Sequence, residues 1–253
     1  MHIPRPPHSW CLSPRRAIRV QRGLAGRVVR VGDGRAIRLV AGLDAAFSAD
    51  GRHCLAGVVL WDTTAQRTLE QHTAMRRLRF PYLPGLLSFR EAPALLAALR
   101  KLEQAPDVLM CDGHGLAHPR RFGIACHLGV ITGLPSIGCA KSRLIGDPVL
   151  PGAHRGASVP LVHQGESLGL VLRTRASVKP VYVSIGHRID LATAAHVVLA
   201  CAVRQRLPEP TRLADRLVAA AKHEKRSGLT TQPGRFSRKE TAPTRPVRAV
   251  GGI

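Results

Sequence analysis

The sequence predicts a mixed α/β domain with basic ends, and three observations carry that prediction. Three apolar stretches in the first third alternate like strands and are joined by short polar turns. A continuous apolar run, Val108-Leu109-Met110-Cys111, ends abruptly at Asp112, as a buried strand would. Downstream of Glu91, helical and extended patterns take turns, which is the signature of a sheet flanked by helices.

In chain order, the stretch from Ala36 to Phe47 alternates into a strand ending at Asp44. Cys54 to Trp61 and Thr68 to Leu78 follow as two further strands, separated by Asp50-Gly51 and by Asp62-Thr63-Thr64. Ala94 to Glu103 is a helix, with Leu95, Leu96, Leu99 and Leu102 on one apolar face. A strand over 108–112, a helix over 121–132 and a strand over 136–139 come next, then strands over 168–173 and 181–185. Helices over 191–206 and 211–221 close the core, with Thr211 as the expected N-cap of the second.

The chain has 253 residues and a net charge of +22, which points to a polyanionic partner such as nucleic acid. Residues 1–38 hold nine Arg against one Asp, and residues 222–253 hold eight Lys/Arg against two Glu. Over half the excess charge therefore sits in Pro/Gly/Arg-rich ends that need no folded structure to hold phosphates. The expected organisation is a poorly ordered basic arm over 1–35, a single domain over 36–222 and a disordered basic tail over 223–253.

Six cysteines lack C-x-x-C or metal-ligand spacing, so reduced core thiols in a cytoplasmic protein are expected. No apolar run approaches the ~18 residues of a membrane span, and the basic N-terminus lacks the apolar stretch of a signal peptide.

Two segments stand out from this background. Phe80-Pro81-Tyr82-Leu83-Pro84-Gly85-Leu86-Leu87-Ser88-Phe89-Arg90-Glu91 sets one aromatic between two prolines, a stiff tip suited to filling the gap left by an unstacked base. Asp112-Gly113-His114-Gly115-Leu116-Ala117-His118-Pro119-Arg120-Arg121 delivers a carboxylate to a strand end beside a glycine loop open to close approach. Read alone, each is also an ordinary turn.

Strand-end carboxylates such as Asp44 and Asp112 suit Mg²⁺, which takes hard oxygen ligands and bridges phosphate and water. Ser88-x-x-Glu91 fits a capping box, but Pro93 would then fall inside the helix, so a helix starting at Ala92 or Pro93 leaves Glu91 free to act. His114 and His118 are four residues apart, yet the intervening glycine and the following Pro119 disfavour the helical zinc arrangement.

Together with Ala41-Gly42-Leu43-Asp44, Ile137-Gly138-Cys139-Ala140-Lys141 and Pro210-Thr211-Arg212-Leu213-Ala214-Asp215, these segments closely resemble the ordered motifs of the endonuclease V family. The resemblance covers about residues 38 to 220. It implies a ribonuclease H-like mixed sheet flanked by helices, which the element order also suits. It also implies a Mg²⁺-dependent endonuclease (with Mn²⁺ as a substitute) acting on inosine-containing nucleic acid, DNA favoured over RNA, as a monomer. The implied cut falls at the second phosphodiester 3′ to deoxyinosine, leaving 3′-hydroxyl and 5′-phosphate ends.

By the same resemblance, Asp44 and Asp112 hold metal, and Glu91 and Asp215 complete the site directly or through water. The family often has His at the position of Asp215. His118 contacts phosphate or water, while His114 holds the loop. Pro81, Tyr82, Leu83, Pro84 and Gly85 form a strand-separating wedge, and Leu87, Gly113, Gly115, Gly123 and Ile124 form the base pocket. Arg120, Arg121 and Lys141 grip phosphates. Rivals are an inosine-specific endoribonuclease, a non-catalytic relict that binds nucleic acid, and another nuclease of the same fold class, such as a junction resolvase.

Overall fold

In the computed structural model, residues 1–147 and 149–226 are described. Their strands form one eight-stranded sheet in the order β3-β2-β1-β4-β5-β8-β7-β6. The strands are β1 (Leu39–Phe47), β2 (His53–Asp62), β3 (Arg67–Arg77), β4 (Val108–Cys111), β5 (Ser136–Ala140), β6 (Ser158–His163), β7 (Glu166–Leu172) and β8 (Val181–His187). The helices are α1 (Pro14–Ala25), α2 (Leu87–Leu99), α3 (Ile124–Thr132), α4 (Leu191–Cys201) and α5 (Glu209–Arg226).

The first three strands are antiparallel neighbours, whereas β1 runs parallel to β4 and β4 parallel to β5. That parallel junction determines the site. Register pairs Leu43 with Cys111, so Asp44 and Asp112 stand side by side, although Asp44 lies inside β1 rather than at its end as expected. The Asp112 amide donates to the Leu43 carbonyl at 3.0 Å, which locks the alignment.

Strand alternation distributes the core. Ala41, Leu43, Leu109 and Cys111 join α2 and α3 in one apolar cluster. Val40 and Met110 face the other way, into a cluster with Val197 and Val198 of α4 and with Leu213 of α5. Gly42 and Gly57 let α5 lie directly on the sheet: a Cβ at Gly42 would stand 2.1 Å from the Pro210 carbonyl carbon, and one at Gly57 2.9 Å from the Ala214 oxygen. This close seat brings Asp215 toward the end of β1.

The structure corrects several expectations. Residues 1–35 are not a loose arm. Ser13 caps α1 by accepting from the Arg16 amide, Pro14 opens the helix, and Ala17, Gln21 and Leu24 are buried on one face. Ile3 is buried as well. Helix α2 begins at Leu87, so Glu91 and Pro93 lie inside it. Burial of Phe89, Ala92, Leu95, Leu96 and Leu99 outweighs the backbone bond that Pro93 forfeits. Ser88, deep in that turn, bonds the Nδ1 atom of His127 at 3.0 Å instead of forming a capping box.

Helix α3 starts at Ile124 rather than at 121, because Arg121 is left-handed (φ 53°) and Gly123 is extended. Thr211 is not the cap of α5, which begins at Glu209, and its hydroxyl bonds the Pro208 carbonyl. Helix α4 ends at Cys201 rather than 206. Strand β6 was not anticipated. It is an edge strand containing Pro160 with little burial, so its alternation is faint. The expected basic tail lies outside the described residues from 227 onward.

Candidate active site

A cavity of about 310 Å³ opens where the Pro81–Gly85 loop, α2 and the ends of β4 and β5 meet. Tyr82, Pro84 and Gly85 form one side, and Leu87, Ser88 and Glu91 present the first turns of α2. Asp112, Gly113, His114 and His118 come from the loop after β4, with Gly123 and Ile124 at the start of α3 and Ser142 to Leu144 beyond β5. Gly115, expected in the base pocket, does not line it. That glycine is pressed on β8, where a Cβ would stand 2.0 Å from the Ile185 oxygen, and its amide donates to the Ser184 hydroxyl.

The four carboxylates are electrically one group. Burial, then the field of Asp112, raises the Asp44 carboxyl to about 7, with Asp215 adding to the effect and Lys141 opposing it. Burial likewise raises Glu91 to about 7, followed by repulsion from Asp44 and Asp112. Lys141 lies among them, its ammonium 2.6 Å from Asp112 Oδ2 and 3.7 Å from Asp215 Oδ2. Burial disfavours that charge, but the Asp112 hydrogen bond and the fields of Asp112, Asp215 and Asp44 outweigh burial and raise its pKa.

Among the described residues, no three His, Cys, Asp or Glu side chains converge closely enough to grip a metal ion by themselves. The donors still fit Mg²⁺ or Mn²⁺. Such ions are commonly held by one or two carboxylates, with water and substrate phosphate completing the shell. The Lys141 ammonium between Asp112 and Asp215 marks a place where these carboxylates already favour a cation.

The base of the Pro81–Gly85 loop is tied down from three sides. Gly85 adopts a left-handed φ of 77°, turning its carbonyl inward. That oxygen accepts from Arg120 Nη2 at 2.6 Å, Gln21 Nε2 at 3.0 Å and His118 Nε2 at 3.1 Å. His118 Nδ1 in turn accepts from the Arg120 amide, so its two bonds fix a neutral imidazole. Burial, then the Arg120 charge, lowers its pKa to about 4. Arg121 bonds Glu166 at 2.7 Å and the His118 carbonyl at 3.1 Å. His118, Arg120 and Arg121, expected on phosphates, thus have internal partners. The loop's tip faces solvent, with Tyr82 63% exposed.

The model of the endonuclease V family matches residues 22–216. The endonuclease V of Roseiflexus castenholzii (strain DSM 13941 / HLO8) is 53% identical over 214 residues, 84% of this chain and 95% of the relative. This chain belongs to the endonuclease V family. The crystal structure of endonuclease V from Streptomyces avermitilis matches with a TM-score of 0.82 at 43% identity, covering 87% of this chain and 97% of that one. The Ciona intestinalis endonuclease V, in complex with a 24mer DNA containing an inosine followed by a ribo-adenosine, matches with a TM-score of 0.74 at 26% identity, covering 83% of this chain and 98% of that one.

Within this endonuclease V chain, sequence reasoning missed Gln21. Its amide donates to the Phe122 carbonyl at 2.7 Å as well as to Gly85, and its oxygen accepts from Arg120 Nε. The signal was present in the helical spacing of Ala17, Gln21 and Leu24, which puts a glutamine at a core position. His127 is a second buried group of this kind. It holds Ser88 on one side and His8 Nε2, 2.8 Å away, on the other, anchoring the N-terminal segment to α2.

Proposed function

We infer that this protein is a divalent-metal-dependent DNA endonuclease of inosine repair. It would cut the second phosphodiester 3′ to deoxyinosine and leave 3′-hydroxyl and 5′-phosphate ends. The observation that carries this reading is the side-by-side placement of Asp44, inside β1, and Asp112, just past the parallel β4, next to a cavity lined by the exposed Tyr82. The Ciona relative, crystallised with inosine-containing DNA, supports the choice of lesion.

Asp44 and Asp112 would hold Mg²⁺, or Mn²⁺ in its place, with Glu91 and Asp215 as outer acceptors. A bound cation supplies charge neutralisation at the scissile phosphate and lowers the pKa of water. The chain's own groups do the rest. Glu91, raised toward neutrality by burial and outside the pair that would hold metal, would take a proton from a water at the phosphate. Lys141, whose ammonium lies beside Asp112 and Asp215, would hold a phosphate oxygen.

Tyr82 would fill the gap in the base stack, and Leu87, Gly113, Gly123 and Ile124 would close around the extruded hypoxanthine. His114 is neutral, because burial lowers its pKa to about 4, and its Nδ1 has no hydrogen-bond partner. It would meet a polar base edge from the cavity wall. No helix among the described residues is long and apolar enough to cross a membrane, and we place the enzyme in the cytoplasm as a monomer.

Matched oligonucleotides carrying deoxyinosine, inosine flanked by ribonucleotides, or adenosine at one position test the assignment. Nicking of the deoxyinosine strand alone, abolished by a chelator and restored by Mg²⁺, is the expected result. Preferential cutting of the ribonucleotide substrate would make the protein an endoribonuclease. Chelator-resistant cutting, or none, would overturn the reading.

A further inference from the structure

Helix α2 stands between two cavities. Through Leu87, Ser88 and Glu91 it borders the carboxylate site. Through Phe89, Arg90, Pro93, Leu96 and Arg100 it borders a separate groove of about 310 Å³, completed by the end of β3 and the N-terminal segment. Arg76, Arg77, Arg79, Arg90 and Arg100 all line this groove, and no carboxylate does.

None of the five forms an ion pair among the described residues. Arg90 is held by the Phe80 carbonyl and the Phe47 ring, Arg76 by the Met75 carbonyl and Arg79 by the Cys11 sulfur. Arg77 and Arg100 are exposed. The half-buried Trp10 supplies an aromatic wall.

The chain runs from Arg79 directly into Pro81–Gly85 and then into α2, so the wedge loop rises between the two cavities. Arg79 and Tyr82 can be at most ~11 Å apart along the chain, so the groove opens next to the wedge. A loop that parts two strands from this position sends one toward the carboxylates and the other toward the arginines.

We propose that the arginine groove receives the strand opposite the lesion as single-stranded nucleic acid, with phosphates on Arg77, Arg79 and Arg100 and a base against Trp10. The proposal rests on the wedge role of Tyr82. Spread cations beside an aromatic ring are the pairing by which proteins hold single strands without reading sequence. A lone phosphate would need only one or two of these arginines.

The test compares the full chain with its Arg77→Gln/Arg100→Gln variant, both changes being on exposed side chains. Nicking of an inosine duplex should show a KM raised roughly tenfold, with its log–log salt slope flattened by about two and kcat kept. An inosine single strand, which has no opposite strand, should lose little. Equal losses on both substrates, or none, would overturn the proposal.

Trp10 fluorescence gives a readout independent of cutting, since the other tryptophan, Trp61, is buried. An undamaged single-stranded oligonucleotide should quench it in the parent protein and not in the variant. If that quenching occurs while inosine duplex is never nicked, the lesion assignment fails and the groove assignment survives. Equal quenching by a mononucleotide at the same concentration would contradict strand binding.

Discussion

Lys141 holds Asp112 at 2.6 Å, and through that contact the end of β5 reaches across to the end of β4. Asp112 sits beside Asp44 on the parallel neighbour strand, and Lys141 also comes within 3.7 Å of Asp215 on α5. One ammonium thus links carboxylates from two separate elements. The chain concentrates negative charge here despite its net charge of +22, which is an arrangement for holding cations.

That concentration makes the metal-free protein sensitive to pH. Asp44 and Glu91 both titrate near 7, above the ordinary carboxylate range, so between that range and about 7 the folded state binds more protons than the unfolded one. Their contribution to stability is therefore present at low pH and lost as pH rises through 7. From pH 5 to pH 8 the loss should be roughly 1–3 kcal/mol, below the full shifts because solvent reaches Asp44. Thermal melts in chelator check this against Asp44→Asn, in which the decline should be shallower. Added Mg²⁺ should stabilise the parent protein at pH 8 and have little effect at pH 5.

Gln21→Ala should loosen the wedge. The substitution strips partners from Phe122 O and Arg120 Nε, at a cost of about 2 kcal/mol, or roughly 4–8 °C in Tm. Nicking of inosine duplex should fall further than nicking of an inosine single strand, because only the duplex must be parted. An equal fall on both substrates would reduce Gln21 to a packing residue.

Tyr82→Ala should leave stability unchanged, since the ring is exposed. Duplex lesion binding should weaken by ~1–3 kcal/mol, the worth of one aromatic–base stack. A bulged or unpaired inosine should lose less. Binding titrations on the two substrates make the comparison.

Deleting residues 1–35 should destabilise the fold rather than merely reduce its affinity for DNA. The deletion uncovers Phe80, Leu86 and Phe89, which pack on Ala17, and removes Gln21 from the Gly85 carbonyl. Insoluble protein, or a Tm lowered by ten degrees or more, is expected. A truncated protein that melts like the full chain would contradict this account of α1.

The sheet was legible because strand periodicity is strong; Asp112 follows a complete apolar run, whereas Asp44 was expected at a strand end and lies inside β1. Their pairing was not legible, since register depends on which strands lie parallel, and Leu43 opposite Cys111 has no local signature. Local rules placed Glu91 before the helix, whereas tertiary burial of Phe89 and Leu95 draws α2 back over Pro93 and encloses it. Helix α1 was obscured by its arginines, which leave Ala17, Gln21 and Leu24 as a narrow buried stripe. Arg120 and Arg121 read as phosphate ligands, yet Gln21, Gly85 and Glu166 engage them from distant parts of the chain.

Cleavage of a 5′-labelled deoxyinosine duplex under single-turnover conditions, with Mg²⁺, tests the joint role of Asp44 and Asp112 most directly. The parent protein should yield one product ending one nucleotide beyond the lesion. Asp44→Asn and Asp112→Asn should each yield essentially none while still binding the duplex, because the phosphate contacts remain. The same product from either variant at a rate near that of the parent would contradict the account.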